Sequence, residues 1–271
     1  MNNLSAVRIS FMIPLALAAC SDSSRNGPIH ASGYIEATEV RVGTKVPGRL
    51  GTLSVKEGDV VLKDQIIARI DPVDFDLALQ TAEADRAQFE ADLQGADKDL
   101  KRMQSLFDAG SGTAKARDDA KTRRDMTAGR LASAKARVNQ IQQQLRDTTI
   151  ASPLDGVVTQ KLVEAGELLA AGATLVVVTD LKDAWLTAYA TEPDLPRIRL
   201  GQEATVATDA GIHRQGKISF IASEAEFTPK NVQTKDERVK LVYKIKIAVE
   251  NSDGLFKPGM PAQATIPAAI K

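Results

Sequence analysis

The sequence predicts an elongated α+β protein in which an antiparallel coiled-coil α-hairpin splits a small β-sandwich, and a small β-barrel domain follows. Three observations predict it. From Phe75, apolar or small residues recur at Leu79, Ala82, Phe89, Leu93, Ala96, Leu100, Met103 and Phe107, at spacings of three and four broken only at Arg86; this is a heptad seam. A second seam runs back from Leu145 through Ile141, Val138, Ala134, Leu131, Thr127 and Ala120. The β segments on either side of this pair repeat one another: setting Gly48 on Gly156 places Val55 on Val163, Gly58 on Gly166, Asp59 on Glu167, Val60 on Leu168 and Ile67 on Leu175. Half a sandwich cannot bury its own apolar face, so the two copies should close on each other across the base of the hairpin.

The hairpin occupies residues 72–147. Between its arms lies Asp108-Ala-Gly-Ser-Gly-Thr113, a cluster of turn residues that stops one helix and caps the next. Arms of roughly 34 residues at about 1.5 Å each reach about 50 Å. A solvated rod of that length offers little interior for a pocket and suits reaching a partner.

Composition narrows the function. Thirty-five basic residues balance 35 acidic ones, which argues against a nucleic-acid partner. His30 and His213 lie far apart and the five methionines are scattered, so neither a His-based active site nor a soft-metal site is suggested. No catalysis, cofactor or metal is expected.

The N-terminus reads as an export signal. Phe11 to Ala19 is apolar, too short to span a bilayer, and ends in small residues. Leu17-Ala-Ala-Cys20 resembles a bacterial lipoprotein signal, which implies that Cys20, the only cysteine, is acylated and becomes the first mature residue. Residues 20–33 then form a polar tether from anchor to fold. The anchor is expected in the cell-envelope membrane, with the inner membrane favoured, although Ser21 and Asp22 leave the retention signal of some enterobacterial lipoproteins out of its usual place.

Beyond the tether, Tyr34 to Asp71 alternates as short strands turned at Lys56-Glu-Gly-Asp59, and Thr148 to residue 181 repeats the design. From residue 182 to 267 the strands lengthen. Ala184–Ala190, Glu203–Ala207, Gly216–Ala222, Lys240–Val249 and Pro261–Ile266 suggest a small barrel, with residues 268–271 as a tail.

Pro47-Gly-Arg-Leu50 with Val55-Lys-Glu-Gly-Asp59, and Ser152-Pro-Leu-Asp-Gly-Val-Val158 with Val163-Glu-Ala-Gly-Glu167, look like the two halves of a lipoyl or biotinyl domain. Such a domain split by a coiled coil behind a signal sequence resembles the HlyD-type membrane fusion proteins, periplasmic adaptors of bacterial export pumps. The resemblance covers about residues 34 to 266 and implies a ring-forming homo-oligomer, a hexamer in the family, that links an inner-membrane exporter to a TolC-like outer-membrane channel for efflux of small molecules. Leu255-Phe-Lys-Pro-Gly-Met260 resembles the family's closing-strand motif. Phe227-Thr-Pro-Lys-Asn231 with Thr234-Lys-Asp-Glu-Arg238 resembles a loop of adaptors serving ABC-type exporters, and little sequence follows the barrel for the further domain usual in RND-type adaptors. An ABC-type partner is therefore favoured, with an RND-type exporter as the alternative.

Arg102, Leu106 and Thr113 fall at the hairpin tip with spacing R-x3-L-x6-T. Tripartite-pump adaptors carry a similar Arg, Leu and Ser there to contact the channel; here Thr keeps the hydroxyl and adds a methyl. The same residues also have plain structural readings: Arg102 on a solvated face, Leu106 in the seam, Thr113 an N-cap. The basic run Lys115, Arg117, Lys121, Arg123, Arg124 and Arg130 reads as a solvated face relieved by Asp118, Asp119 and Asp125, or else as a docking patch. Two other function classes compete with an adaptor. A biotin or lipoate carrier needs a lysine at the turn that the coiled coil replaces, and a structural envelope lipoprotein needs neither split domain nor barrel.

Overall fold

A computed structural model describes residues 27–227 and 241–267, which divide into two compact units. One comprises residues 34–187 and 248–261, and the other holds the remaining described residues. The expected signal, Cys20, the Thr234–Arg238 motif and the C-terminal tail lie outside the described residues.

Strands β1 (Ile29–Gly43), β2 (Gly48–Leu53), β3 (Val60–Val61) and β4 (Ile66–Ile70) precede helices α1 (Val73–Asp108) and α2 (Ala114–Asp147). Strands β5 (Thr149–Ala151), β6 (Gly156–Lys161), β7 (Leu168–Leu169) and β8 (Thr174–Thr191) follow. Besides the β2–β4 and β6–β8 pairings within each block, the two β blocks pair with each other. β4 runs antiparallel to β5 with Ile66 opposite Ala151, β2 to β7 with Gly48 opposite Leu169, and β3 to β6 with Val60 opposite Val157. The exchange is reciprocal to the level of single hydrogen bonds. Gly58 N–H donates to the Val158 carbonyl at 2.8 Å, and its repeat equivalent Gly166 donates to Leu50, the equivalent of Val158, at 2.7 Å. Val158 N–H donates to Asp59 at 2.9 Å as Leu50 donates to Glu167 at 2.8 Å. Each turn is closed by its own acid: Lys56 N–H reaches Asp59 Oδ2 at 2.8 Å and Glu164 N–H reaches Glu167 Oε1 at 3.0 Å. Gly58 and Gly166 sit at φ +91° and +98°, a conformation costly for residues with a Cβ. Between the sheets Leu50, Val61, Ile67, Ile70, Val158, Leu175 and Val178 form one buried core. The core draws its residues from both blocks, so neither copy buries its apolar face alone.

The hairpin springs from adjacent strands. Ile70 N–H donates to Thr148 at 2.9 Å, so the chain leaves and returns at one place. Asp71 Oδ1 accepts from Val73 N–H at 3.1 Å, and Asp74 and Asp76 in the first turn of α1 complement its dipole. The helices have 36 and 34 residues, about 50 Å each. Their seam is as the heptads predict: Ala82 and Ala96 are buried on α1, and Thr127, Leu131, Ala134, Val138 and Ile141 on α2. Arg86 stays in the seam, with Nε buried and lacking a hydrogen-bond partner among the described residues.

In the second unit, β9 (Glu203–Thr208), β10 (His213–Ile221), β11 (Glu226–Phe227), β12 (Leu241–Glu250) and β13 (Pro261–Ile266) complete the sheet. Six strands in the order β12-β10-β9-β13-β1-β8 have their ends joined by a further β12–β8 pairing, which makes a barrel. Ala188, Ala190, Ala204, Val206, Ile218, Ile245, Ile247, Ala264 and Ile266 are buried. Small and β-branched residues suit the interior of a narrow barrel.

Two boundaries differ from expectation. β1 begins at Ile29, inside the segment expected as tether. Ile29 and Ala31 are buried in alternation with exposed His30 and Ser32, a period-2 signal masked by Ser and Gly. β8 runs unbroken through residue 181, where a change of domain was expected. Asp180 Oδ1 accepts from Lys182 N–H at 2.9 Å, and the polar residues there sit within extended backbone. The closing motif is pinned by Asn251, itself buried. Its Nδ2 donates to the Leu181 and Phe256 carbonyls at 2.7 and 2.8 Å, and its Oδ1 accepts from Phe256 N–H at 2.9 Å.

Candidate functional site

The end of the hairpin is a built turn. Ser111 and Gly112 N–H groups both donate to the Leu106 carbonyl at 2.9 Å, and Gly110 donates to Phe107 at 3.0 Å. These bonds satisfy carbonyls that the end of α1 would leave bare. Gly110 takes φ +72°. At Gly112 a Cβ would lie 2.9 Å from Phe107 N, so the chain passes too close for any side chain. Thr113 opens α2 as its N-cap: Oγ1 accepts from Ala116 N–H at 3.2 Å.

The three residues expected at the tip are all there. Leu106 is 41% exposed although its position continues the helix. Arg102, one turn below, is exposed and ion-pairs with Asp99 on its own helix. Thr113 uses its oxygen as the cap, leaving the hydroxyl hydrogen available outward. The arrangement offers a guanidinium, an aliphatic knob and a hydroxyl donor at the end of a rod. Among the described residues there is no cluster of His, Cys, Asp or Glu with the makings of a metal site.

The comparisons agree with this geometry. A family described as "RND MFP, barrel-sandwich hybrid domain" matches residues 38–181. A UPF0194 membrane protein of Citrobacter koseri is 31% identical, covering 86% of this chain and 87% of that protein. The chain belongs to the membrane fusion protein family. Among solved structures, a MacA-MexA chimera carrying the Pseudomonas aeruginosa MexA α-hairpin is 26% identical, with TM-score 0.66 over 91% of this chain and 83% of that one. MacA from Actinobacillus actinomycetemcomitans shares the fold, with TM-score 0.73 at 24% identity over 89% of this chain and 79% of the other. Members of the family are periplasmic adaptors, and among the described residues of this one no helix is long and apolar enough to cross a membrane.

Sequence reasoning missed what holds the tip of this membrane fusion protein. The Arg117 guanidinium lies 4.5 Å from the centre of the Phe107 ring. It is steered by Asp118, which accepts from its Nε and Nη2 at 2.9 and 2.8 Å. A cation over an aromatic face contributes about 0.5–1 kcal/mol at an exposed site and here ties the two helices together just below the turn. An aromatic and an arginine flank the glycine turn, but in the sequence Arg117 reads as one member of the basic run from Lys115 to Arg130. Much of that run is neutralised locally. Lys115 pairs with Asp119 at 3.0 Å, and Arg124 reaches across to Asp97 on α1 at 2.8 Å and to Asp125 at 3.3 Å. The hydrogen bond that Arg124 donates to Asp97, aided by the one to Asp125, holds its guanidinium above its usual pKa, so it stays charged at any physiological pH. Lys121, Arg123 and Arg130 remain exposed.

Proposed function

We propose that this chain is the periplasmic adaptor coupling an inner-membrane exporter to a TolC-like outer-membrane channel for efflux of small molecules, without catalysis of its own. The observation that carries the reading is the solvated hairpin, rooted at one point in the split sandwich and ending in a rigid turn that presents Arg102, Leu106 and Thr113. Such a rod is unsuited to enclosing a substrate and well suited to meeting the helical mouth of a channel. The Phe227–Asn231 and Thr234–Arg238 sequences favour an ABC-type exporter over an RND-type one. A ring of copies, six in the family pattern, would surround the exit path. Affinity isolation from detergent extracts, with identification of co-purifying proteins, tests this reading. An exporter and an outer-membrane channel are expected together, and recovery of neither would sink it.

Anchoring belongs to the same proposal. The Leu17-Ala-Ala-Cys20 sequence supports lipidation at Cys20, and coupling to an inner-membrane exporter favours the inner membrane for the anchor. Mass spectrometry of the mature protein is expected to find a diacylated or triacylated N-terminus at that residue. An unmodified Cys20, or cleavage elsewhere, would overturn the assignment.

A further inference from the structure

Gly27 and Pro267, the outermost described residues of the chain, are fastened to one end of the barrel unit. The Arg197 guanidinium donates to the Gly27 carbonyl, and Gln202 Nε2 donates to the Pro267 carbonyl at 2.7 Å. Between these two anchoring residues lies the turn Arg199-Leu-Gly-Gln202, framed on every side by hydrogen bonds. Gln202 N–H donates to the Arg199 carbonyl at 3.2 Å, Gly201 N–H donates to Ile218 at 2.8 Å, and Ile218 N–H returns a bond to Gln202 at 2.9 Å. Arg199 N–H is held by Gln202 Oε1 at 2.9 Å, and Gly201 takes φ +79°, which a residue with a Cβ adopts only under strain. The frame is fixed, Ile198 beside it is buried, and yet it presents Leu200, 67% exposed.

Leu200 has apolar company. Phe220 follows Ile218 by two residues on β10 and is 43% exposed. Leu241, 46% exposed, opens β12 three residues before Lys244, whose carbonyl accepts from Ala222 N–H at 2.8 Å. All of these residues belong to one unit. Single exposed aliphatic side chains are ordinary, but these gather where the chain enters the unit. Arg199 and Lys217 are exposed beside them. Of the neighbouring acids, Asp194 pairs with Arg197 at 3.4 Å and Glu203 stands across from Lys217 in the β9–β10 register. The apolar side chains are therefore the main feature of this end, with a small basic bias.

We infer that this end of the barrel docks on a lipid surface, with Leu200 entering the headgroup layer, Phe220 and Leu241 beside it, and Arg199 and Lys217 toward anionic headgroups. Apolar side chains backed by basic ones are the composition that seats at a membrane interface. The occupant is a membrane because covalent geometry brings one within reach. Cys20 stands seven residues before Gly27, and a chain of that length spans at most about 25 Å. The presence of a membrane there rests on the proposed acylation of Cys20; the patch is found without it. The acyl chains keep the protein on the membrane, and the turn sets which end of the barrel faces it.

The test places an environment-sensitive fluorophore on Leu200→Cys in the purified mature protein, bound to vesicles of phosphatidylethanolamine and phosphatidylglycerol that hold no other protein. Phe220→Cys gives a second reading of the same end. Asp209→Cys, just past the opposite end of β9, is the control in water, and the unsubstituted protein reports any label taken by Cys20, the only native cysteine. Emission from residues 200 and 220 is expected to shift to the blue and to be quenched by nitroxide-bearing lipids several-fold more than emission from residue 209. Equal quenching at the three positions, in proteins whose circular dichroism is unchanged, would overturn the inference. Adding Leu200→Glu to Phe220→Cys, or reversing Arg199 and Lys217 together to Glu, should lower quenching at residue 220 several-fold, and no reduction in either would refute the contact. Shielding of residue 200 in cell membranes that hold the exporter, but not in lipid vesicles, would mean a protein occupant and would overturn it too. Lipid quenching at residue 200 in a protein whose Cys20 takes the label would remove the anchor and leave the docking standing. An acylated Cys20 with residue 200 in water would do the reverse.

Discussion

Replacing Arg102 with Asp is expected to abolish export while leaving the abundance and helicity of the protein unchanged. Arg102 is exposed, and its only described ion pair is with Asp99 on the same helix. Such surface pairs contribute about 0.3–0.5 kcal/mol, and the like charges created by the change cost a similar amount. The fold does not depend on it. At a desolvated contact the balance is different, because the change removes a charge-assisted donor and sets a carboxylate against acceptors on the channel. A loss of about 2–5 kcal/mol, roughly thirty-fold or more in affinity, follows. Substrate accumulation in cells measures it, with channel capture as the direct readout. Asp99→Asn is the control: it frees the guanidinium without moving it, so export should persist. Thr113→Ser keeps cap and donor and should be nearly silent. Thr113→Val loses the bond to Ala116 N–H together with the outward donor. Normal export by Arg102→Asp at normal abundance would shift attention to Lys121, Arg123 and Arg130.

Removing the hairpin altogether should leave a folded protein that exports nothing. Ile70 N–H already bonds to Thr148 at 2.9 Å, and Arg69 lies opposite Thr149. An Asn-Gly pair in place of residues 72–147 would therefore close β4 and β5 as an ordinary hairpin. The reciprocal bonds from the turns at Gly58 and Gly166 to Val158 and Leu50 are untouched. What is lost from the sandwich is chiefly Phe75, partly buried against its core, about 1–2 kcal/mol, and the weak Lys45–Asp147 pair at 3.7 Å. Circular dichroism should lose its helical component, while urea unfolding should keep a single cooperative transition. An unfolded product would mean that the two blocks depend on the helices for more than proximity.

Long-range order was legible wherever it left a period. The seam could be read because Leu131, Val138 and Ile141 recur at intervals that only a helix brings to one face. The sandwich could be read because Gly58 and Gly166 stand at equivalent places in two copies. What escaped was local chemistry that cuts across such periods. Ile29 and Ala31 lay hidden in a polar stretch, and Asp180, Lys182 and Asp183 sit inside one strand where a change of domain was expected. The Arg117–Phe107 contact joins residues with no common period at all. At the tip the expected residues were in place, but neither the pairing of Arg102 with Asp99 nor the double acceptance at the Leu106 carbonyl could be read from spacing.

The reciprocal pairing of the two β blocks also bears on how the chain finds its fold. The first block, with Leu50, Val61 and Ile67 on its inner face, is separated from its partner by helices of 36 and 34 residues. Helices form within microseconds, so a paired hairpin would set Thr148 beside Ile70 as a stiff unit. A flexible loop of similar length would have to find that closure by diffusion, at an entropic cost that grows with its length. The rod that reaches outward in the finished molecule would serve, during folding, as the template on which its own base is assembled.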